Sequence, residues 1–191
     1  VMVIGTSMSA GKTTVARIII RQLKDMGLKV AGAKLTGSGR YRDILSMRDA
    51  GADYIFDFVD VGLPTTVCDS GEYHEALKKL LSLLSVVNVD AAVIEVGASP
   101  MEPYNGQTAV AEISPNVRWT VLCATDPYSV VGLISSYGSS PDLVAGVTTN
   151  TEAGVELVEK LCGIRALNLL SRESLWELRE MLRKALEIRV D

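Results

Sequence analysis

The sequence predicts an α/β domain of three layers, a mostly parallel sheet with helices on both faces. Three observations predict it. Short apolar runs alternate with helical stretches from end to end, and strands that alternate with helices build parallel sheets covered on both sides. A glycine-rich turn joins the first strand to the first helix. The 191 residues, 48% apolar and 22% charged, make one domain, 1–191, whose core needs neither disulfides nor metal for stability. No repeat, low-complexity segment or linker divides it.

Residues 1–5 read as an apolar strand. Residues 12–26 follow as a helix, because Val15, Ile18, Ile19 and Leu23 share one face at helical spacing, and Gly27 stops it. Residues 28–34 are the second strand. A polar loop, 35–41, leads to a short helix over 43–50 that Gly51 ends. Residues 65–68 read as a short strand before a helix over 72–87. Residues 90–96 are a buried strand, Ala-Ala-Val-Ile flanked by carboxylates, and 118–124 are the next. Asp126-Pro127 reads as the N-cap and first position of a helix, where proline has no N–H to lose. Residues 143–147 and 165–169 are two more strands, separated by a helix over 152–161. An amphipathic helix over 174–190 closes the chain, with Leu175, Leu178, Leu182 and Leu186 on one stripe.

Charge and composition exclude several classes. A net charge of −4 with pI near 5.1 argues against non-specific nucleic-acid binding, which needs a basic face. The longest apolar run, near 80–89, is broken by Ser82, Ser85 and Asn88, so no segment approaches the roughly 20 residues that cross a bilayer. Cys68, Cys123 and Cys162 are odd in number and widely spaced, which predicts a reducing, cytoplasmic setting without a zinc or disulfide framework. The opening residues predict no signal peptide. The chain opens inside an apolar strand without an initiator Met, which points to a longer protein of which this is the C-terminal part.

The strongest motif is Gly5-Thr6-Ser7-Met8-Ser9-Ala10-Gly11-Lys12-Thr13-Thr14, between a predicted strand and a predicted helix. It ends in the Gly-Lys-Thr of a phosphate-binding P-loop, in which backbone N–H groups and a helix N-terminus cradle phosphate oxygens. Lys12 would reach the β- and γ-phosphates and the Thr13 hydroxyl would bind Mg²⁺. The usual pattern places glycine four residues before the Gly-Lys pair; here that position is Thr6, and Gly5 stands one place earlier.

On these residues the chain resembles dethiobiotin synthetase, of the same P-loop NTPase class as the nitrogenase iron protein. The likeness continues in order. Lys34-Leu35-Thr36-Gly37 is similar to that family's Lys-Pro-Val-x-Thr-Gly segment, whose lysine contacts ATP phosphate and substrate. Asp43 falls at the family's magnesium-binding Asp. Leu63-Pro64-Thr65-Thr66 resembles its Pro-x-Ser-Pro stretch, and Val93-Ile94-Glu95-Val96-Gly97-Ala98 its Val-Glu-Gly-Ala. Asn150 matches an Asn that reads adenine. Ala98-Ser99-Pro100 departs from the Gly-Gly that follows the acidic strand there. The segment from Arg40 to Ala52 is closer to the molybdopterin-guanine dinucleotide accessory GTPases. The P-loop itself is most similar to a family of P-loop domains of unassigned function that carry Gly-Thr-Ser-Met-Ser-Ala-Gly-Lys-Thr.

Other candidates rest on position. Glu95 ends a buried strand, where a carboxylate is costly unless paired or bound to metal, so it joins Thr13 and Asp43 as a Mg²⁺ candidate. Asp43, at a helix start, serves equally as a cap. Lys34 lies at the carboxyl end of a strand, where ligands sit in open α/β sheets. Arg40 and Arg42 suit a second anion. Asp57 and Asp60, three apart, read first as solvated ends of an irregular segment, and second as a metal-binding pair on one helix face. The leucine stripe of the last helix is core first and a homodimer interface second.

Two functions follow. The first is an ATP- and Mg²⁺-dependent enzyme that transfers a phosphoryl group to a small anionic acceptor, as a kinase or ligase. Lys12 and Lys34 would be its catalytic residues, and Lys34, Thr36, Gly37 and Arg40 would hold the acceptor. The alternative is a nucleotide-dependent switch that hands a conformational change to a protein partner. Thr148-Thr149-Asn150-Thr151 lacks the Lys and Asp of a guanine-reading Asn-Lys-x-Asp, which favours adenine.

Overall fold

Parallel strands packed between two helical layers are apolar on both sides, and the buried strand positions of this chain are so apart from Lys34, Thr36, Asp57 and Glu95 towards the carboxyl ends. The computed structural model describes residues 1–138 and 140–188. Among them, six strands form one sheet: β1 (Met2–Gly5), β2 (Val30–Thr36), β3 (Tyr54–Asp57), β4 (Ala91–Val96), β5 (Thr120–Cys123) and β6 (Leu143–Ala145). All pairings are parallel, in the order β3-β2-β4-β1-β5-β6. Seven helices connect them: α1 (Lys12–Asp25), α2 (Tyr41–Asp49), α3 (Ser70–Ser85), α4 (Gly106–Ile113), α5 (Pro127–Tyr137), α6 (Glu152–Cys162) and α7 (Arg172–Ala185).

Side chains that alternate along a strand feed two cores. Met2, Ile4, Leu122 and Val96 pack with Tyr73 and Leu77 of α3, Val110 of α4, Val130 of α5 and Val158 of α6. Val3, Val93, Val121 and Cys123 pack with Ile19 and Ile20 of α1, Met47 of α2 and Leu178 and Leu182 of α7. The three predicted layers are therefore present, with α1, α2 and α7 on one face and α3 to α6 on the other.

Most predicted elements appear within a few residues of their expected bounds, and the exceptions have local causes. No strand forms over 65–68; Thr65 makes a single antiparallel bridge to Ser38. The third strand is β3 instead, an edge strand one residue row from β2. Asp57 therefore ends a strand, buried to 1% exposure, rather than lying solvated. Residues 165–169 contribute only a bridge from Ala166 to Val144. Helix α4 was not anticipated. The closing helix ends at Ala185, capped at Leu186, so 186–188 do not continue it as expected, and Arg189 and Val190 lie outside the described residues. No described helix is long and apolar enough to cross a membrane.

Candidate nucleotide-binding site

The loop after β1 is shaped by backbone conformations that few residues take. Ser9 sits at φ 62° and Gly11 at φ 100°, left-handed positions that turn the chain sharply into α1. Gly11 is the N-cap of α1 and offers no side chain to the helix, so the first N–H groups of α1 have no intrahelical partner and face outward as an anion cradle. The Lys12 side chain folds back across the loop, and its Nζ donates to the Ser7 carbonyl at 2.7 Å. A Cβ on Gly5 would stand 2.8 Å from Lys12 Cδ. The early glycine thus clears the path of the lysine.

Glu95 lies on β4 beside β1, and its two carboxylate oxygens accept from the Thr13 hydroxyl at 3.0 and 3.2 Å. It is 3% exposed. Burial raises its pKa, while Lys34, Lys12 and the Thr13 hydrogen bond act the other way. Burial likewise lowers the pKa of Lys12, which Glu95 opposes. Lys34 pairs in register with Glu95 on one side and Asp57 on the other, so the three charged side chains share the sheet face beneath α1 and α2. The Lys34 Nζ binds Asp43 Oδ2 at 2.6 Å and the Ser38 carbonyl at 3.2 Å.

These groups surround a cavity of about 340 Å³ at the carboxyl ends of β1, β2 and β4. Met8, Ser9, Gly11, Lys12, Thr13, Thr14, Lys34, Gly37, Arg40, Asp43 and Glu95, all singled out in the sequence, line it. Gly5, Thr6, Ser7 and Ala10 lie behind it and shape the loop. Thr36 is not an acceptor-side residue: it is fully buried, and its hydroxyl donates to the Gly97 carbonyl. Ser38, Gly97, Ala98 and Tyr104 complete the lining; Tyr104 was missed, although Asn105-Gly106 next to it is a turn signal.

A second cavity, of about 110 Å³, adjoins the first at Gly11 and Thr14 and is lined by Val15, Ile18, Gly146, Val147, Asn150, Leu169 and Leu170. Apolar walls with one amide side chain suit a flat heterocycle. Gly146, at φ 92°, packs so closely on the Ala10 carbonyl that a Cβ would overlap it, and Val147 N–H donates to that carbonyl at 3.3 Å. The turn at Gly146 is therefore built against the loop that follows β1.

Thr13, Glu95 and Asp43 supply hard oxygen donors of the type Mg²⁺ prefers. Among the described residues no three His, Cys, Asp or Glu side chains converge as a metal cage.

No family model matches the chain, and no curated protein matches it. Solved structures do. The chain is similar to the signal recognition particle receptor FtsY from Elizabethkingia anophelis in complex with GDP (TM-score 0.59, 13% identity, covering 87% of this chain and 54% of that one). It is similar to HypB from Helicobacter pylori in complex with nickel (0.55, 15%, 97% and 86%). It is also similar to a nucleotide-binding protein in complex with ADP from Archaeoglobus fulgidus (0.53, 11%, 100% and 88%). The fold is that of a P-loop NTPase. At these identities the likeness is one of fold, and the chain spans about half the length of the FtsY chain it matches.

Proposed function

We propose that the chain is a Mg²⁺-dependent nucleoside triphosphatase that acts as a conformational switch. The observation that carries this reading is the ready phosphate cradle. Lys12 is folded over the loop beside free helix N–H groups, and Thr13 is already set against Glu95. Triphosphate would lie along the first cavity and the base in the second, next to Asn150. Thr13 and Glu95, with Asp43 once it leaves Lys34, would hold Mg²⁺ with the β- and γ-phosphate oxygens. Water would attack the γ-phosphorus and give its proton to the phosphate formed, the bond to the β–γ bridging oxygen would break, and nucleoside diphosphate and inorganic phosphate would leave. Lys12 and Lys34 would stabilise the charge that develops.

The neighbours with bound GDP and ADP support nucleotide binding in this fold. The Lys34–Asp43 pair favours a switch over a phosphotransferase. Lys34 is held by Asp43, so an acceptor bound there would first have to break that pair. A γ-phosphate that drew Lys34 away would instead free Asp43 and the start of α2, a movement a partner protein could read. ATP is the proposed nucleotide, because the turn at Asn150 lacks the guanine-reading Lys and Asp. The rival reading, phosphoryl transfer to a small anion, draws on the extension of the cavity past Lys12 to Lys34, Gly37 and Arg40.

Calorimetric titration with Mg-ATP, Mg-GTP and ADP is expected to show binding with ATP preferred, and phosphate release is expected to be slow. A burst of ADP on adding a pool of small carboxylic acids would replace the switch with the phosphotransferase. Glu95→Gln is expected to weaken Mg²⁺-dependent binding more than metal-free binding; equal losses would make Glu95 purely structural.

A further inference from the structure

Two loops bound the far side of the phosphate cavity. One follows β2 and contributes Gly37, Ser38 and Arg40; the other follows β4 and contributes Gly97, Ala98 and Tyr104. They belong to different strands, yet one buried residue outside the cavity lining is bonded to both. We infer that Thr66 is a positioning residue that makes these two loops move as a unit. The inference rests on the triphosphatase reading above.

Thr66 is fully buried, and each of its polar groups reaches outside its own segment. Its N–H donates to the Gly37 carbonyl at 3.0 Å. Its hydroxyl accepts the Gly37 N–H at 2.9 Å and donates to the Tyr104 carbonyl at 2.7 Å. Its carbonyl accepts from Asn105 Nδ2 at 2.8 Å, and the same amide donates to the Cys68 carbonyl at 3.2 Å. Both backbone groups of Gly37 are thus held by one threonine, and the hydroxyl passes the connection on to the residue beside Asn105.

Gly37 needs this hold. It sits at φ 127°, and a Cβ there would stand 3.3 Å from Lys34 Cε, so the residue that lets the loop approach Lys34 is also one with no side chain to restrain its backbone. A hydroxyl that donates and accepts at once is the smallest group able to join an N–H on one loop to a carbonyl on another. Valine has the same shape and does neither. A purely space-filling Thr66 would tolerate valine; a coupling Thr66 would not.

The test compares wild type with Thr66→Val and Thr66→Ser. Three quantities are read: the Mg-ATP dissociation constant, kcat for phosphate release, and amide hydrogen exchange at Gly37 and at 104–106 without nucleotide. Thr66→Val is expected to keep the dissociation constant within about twofold while kcat falls on the order of tenfold to a hundredfold, the scale of small misplacements remote from the reacting atoms. Exchange should rise at both loops together, and Thr66→Ser should restore both rate and protection. Valine with wild-type kcat and exchange, a rise confined to one loop, or no rescue by serine would each overturn the coupling. Should Thr66→Val not fold, Asn105→Gly keeps the left-handed turn at φ 59° and removes the clamp on Thr66; the same split between binding and rate is expected, and its absence overturns the proposal. Paired loss of protection in a protein whose wild type hydrolyses no nucleotide would uphold the coupling and overturn the triphosphatase reading alone.

Discussion

A single side chain decides whether the cradle works. Lys12 is 7% exposed, and its ammonium is held by the Ser7 carbonyl with Glu95 nearby. Lys12→Ala removes the charge aimed at the phosphates and leaves the apolar packing of α1 in place. Nucleotide binding should be lost, with the unliganded melting temperature changed little; wild-type affinity in calorimetry would remove the P-loop assignment. Asp57 offers a second residue-scale test. Burial pushes its pKa up to about 6 from 3.8, against the pull of Lys34. Between those values the unfolded carboxyl has lost its proton and the folded one keeps it. Stability should therefore fall as pH rises from about 4 to about 6 and level off above. Asp57→Asn should flatten that step in melting temperatures recorded across the range, and an unchanged profile would remove Asp57 as its source.

Elements depend on how neighbouring backbones meet. Gly146→Ala would drive a Cβ into the Ala10 carbonyl at a φ of 92°, at a cost of about 1–3 kcal/mol for overpacking in addition to the left-handed strain. Nucleotide affinity should fall with stability, because the displaced carbonyl belongs to the phosphate loop. Gly163→Ala, at φ 66° with nothing within 4 Å, should cost about 1–2 kcal/mol and leave affinity unchanged. Chemical denaturation paired with ATP titration separates the two. The elements that sequence reading missed share a trait. β3 is four residues long and sits at the sheet edge; α4 is eight residues long and starts from a left-handed Asn105 that caps nothing with its side chain. α4 spans little more than two helical turns, short of the 11–18-residue window in which periodicity stands out, and Tyr-Ile-Phe-Asp of β3 does not alternate. By contrast the β1–loop–α1 unit combined an apolar run, a Gly-Lys-Thr and a helical face, and was legible residue by residue.

At the scale of the molecule, ligand and fold are linked. If nucleotide binds the folded chain alone, saturating it at a hundred times its dissociation constant should add about 2.7 kcal/mol of stability, seen as a rise in melting temperature that Lys12→Ala abolishes. The layered architecture was readable because alternation of strand and helix is a property of the whole chain. The pairing of Thr66 with Gly37 and Tyr104 was not, since it joins segments whose distance in space depends on strand order, and that of Lys34 with Asp43 was not, since it depends on the path of the loop between β2 and α2.

That order also governs how the molecule can come into being. β1 is the third strand from one edge of the sheet, and its register partners are Ile94 and Glu95 on one side and Thr120 to Cys123 on the other. During synthesis the loop after β1 is therefore made before either strand that flanks it, and β1 is held on both sides only after β5 has been made, roughly ten seconds later at ordinary synthesis rates. Until β4 is made Met2 and Val3 have no register partner, and until β5 is made only one side of β1 is paired. Such long-range pairing slows folding, and it makes competence to hold a nucleotide one of the last properties the growing polypeptide acquires.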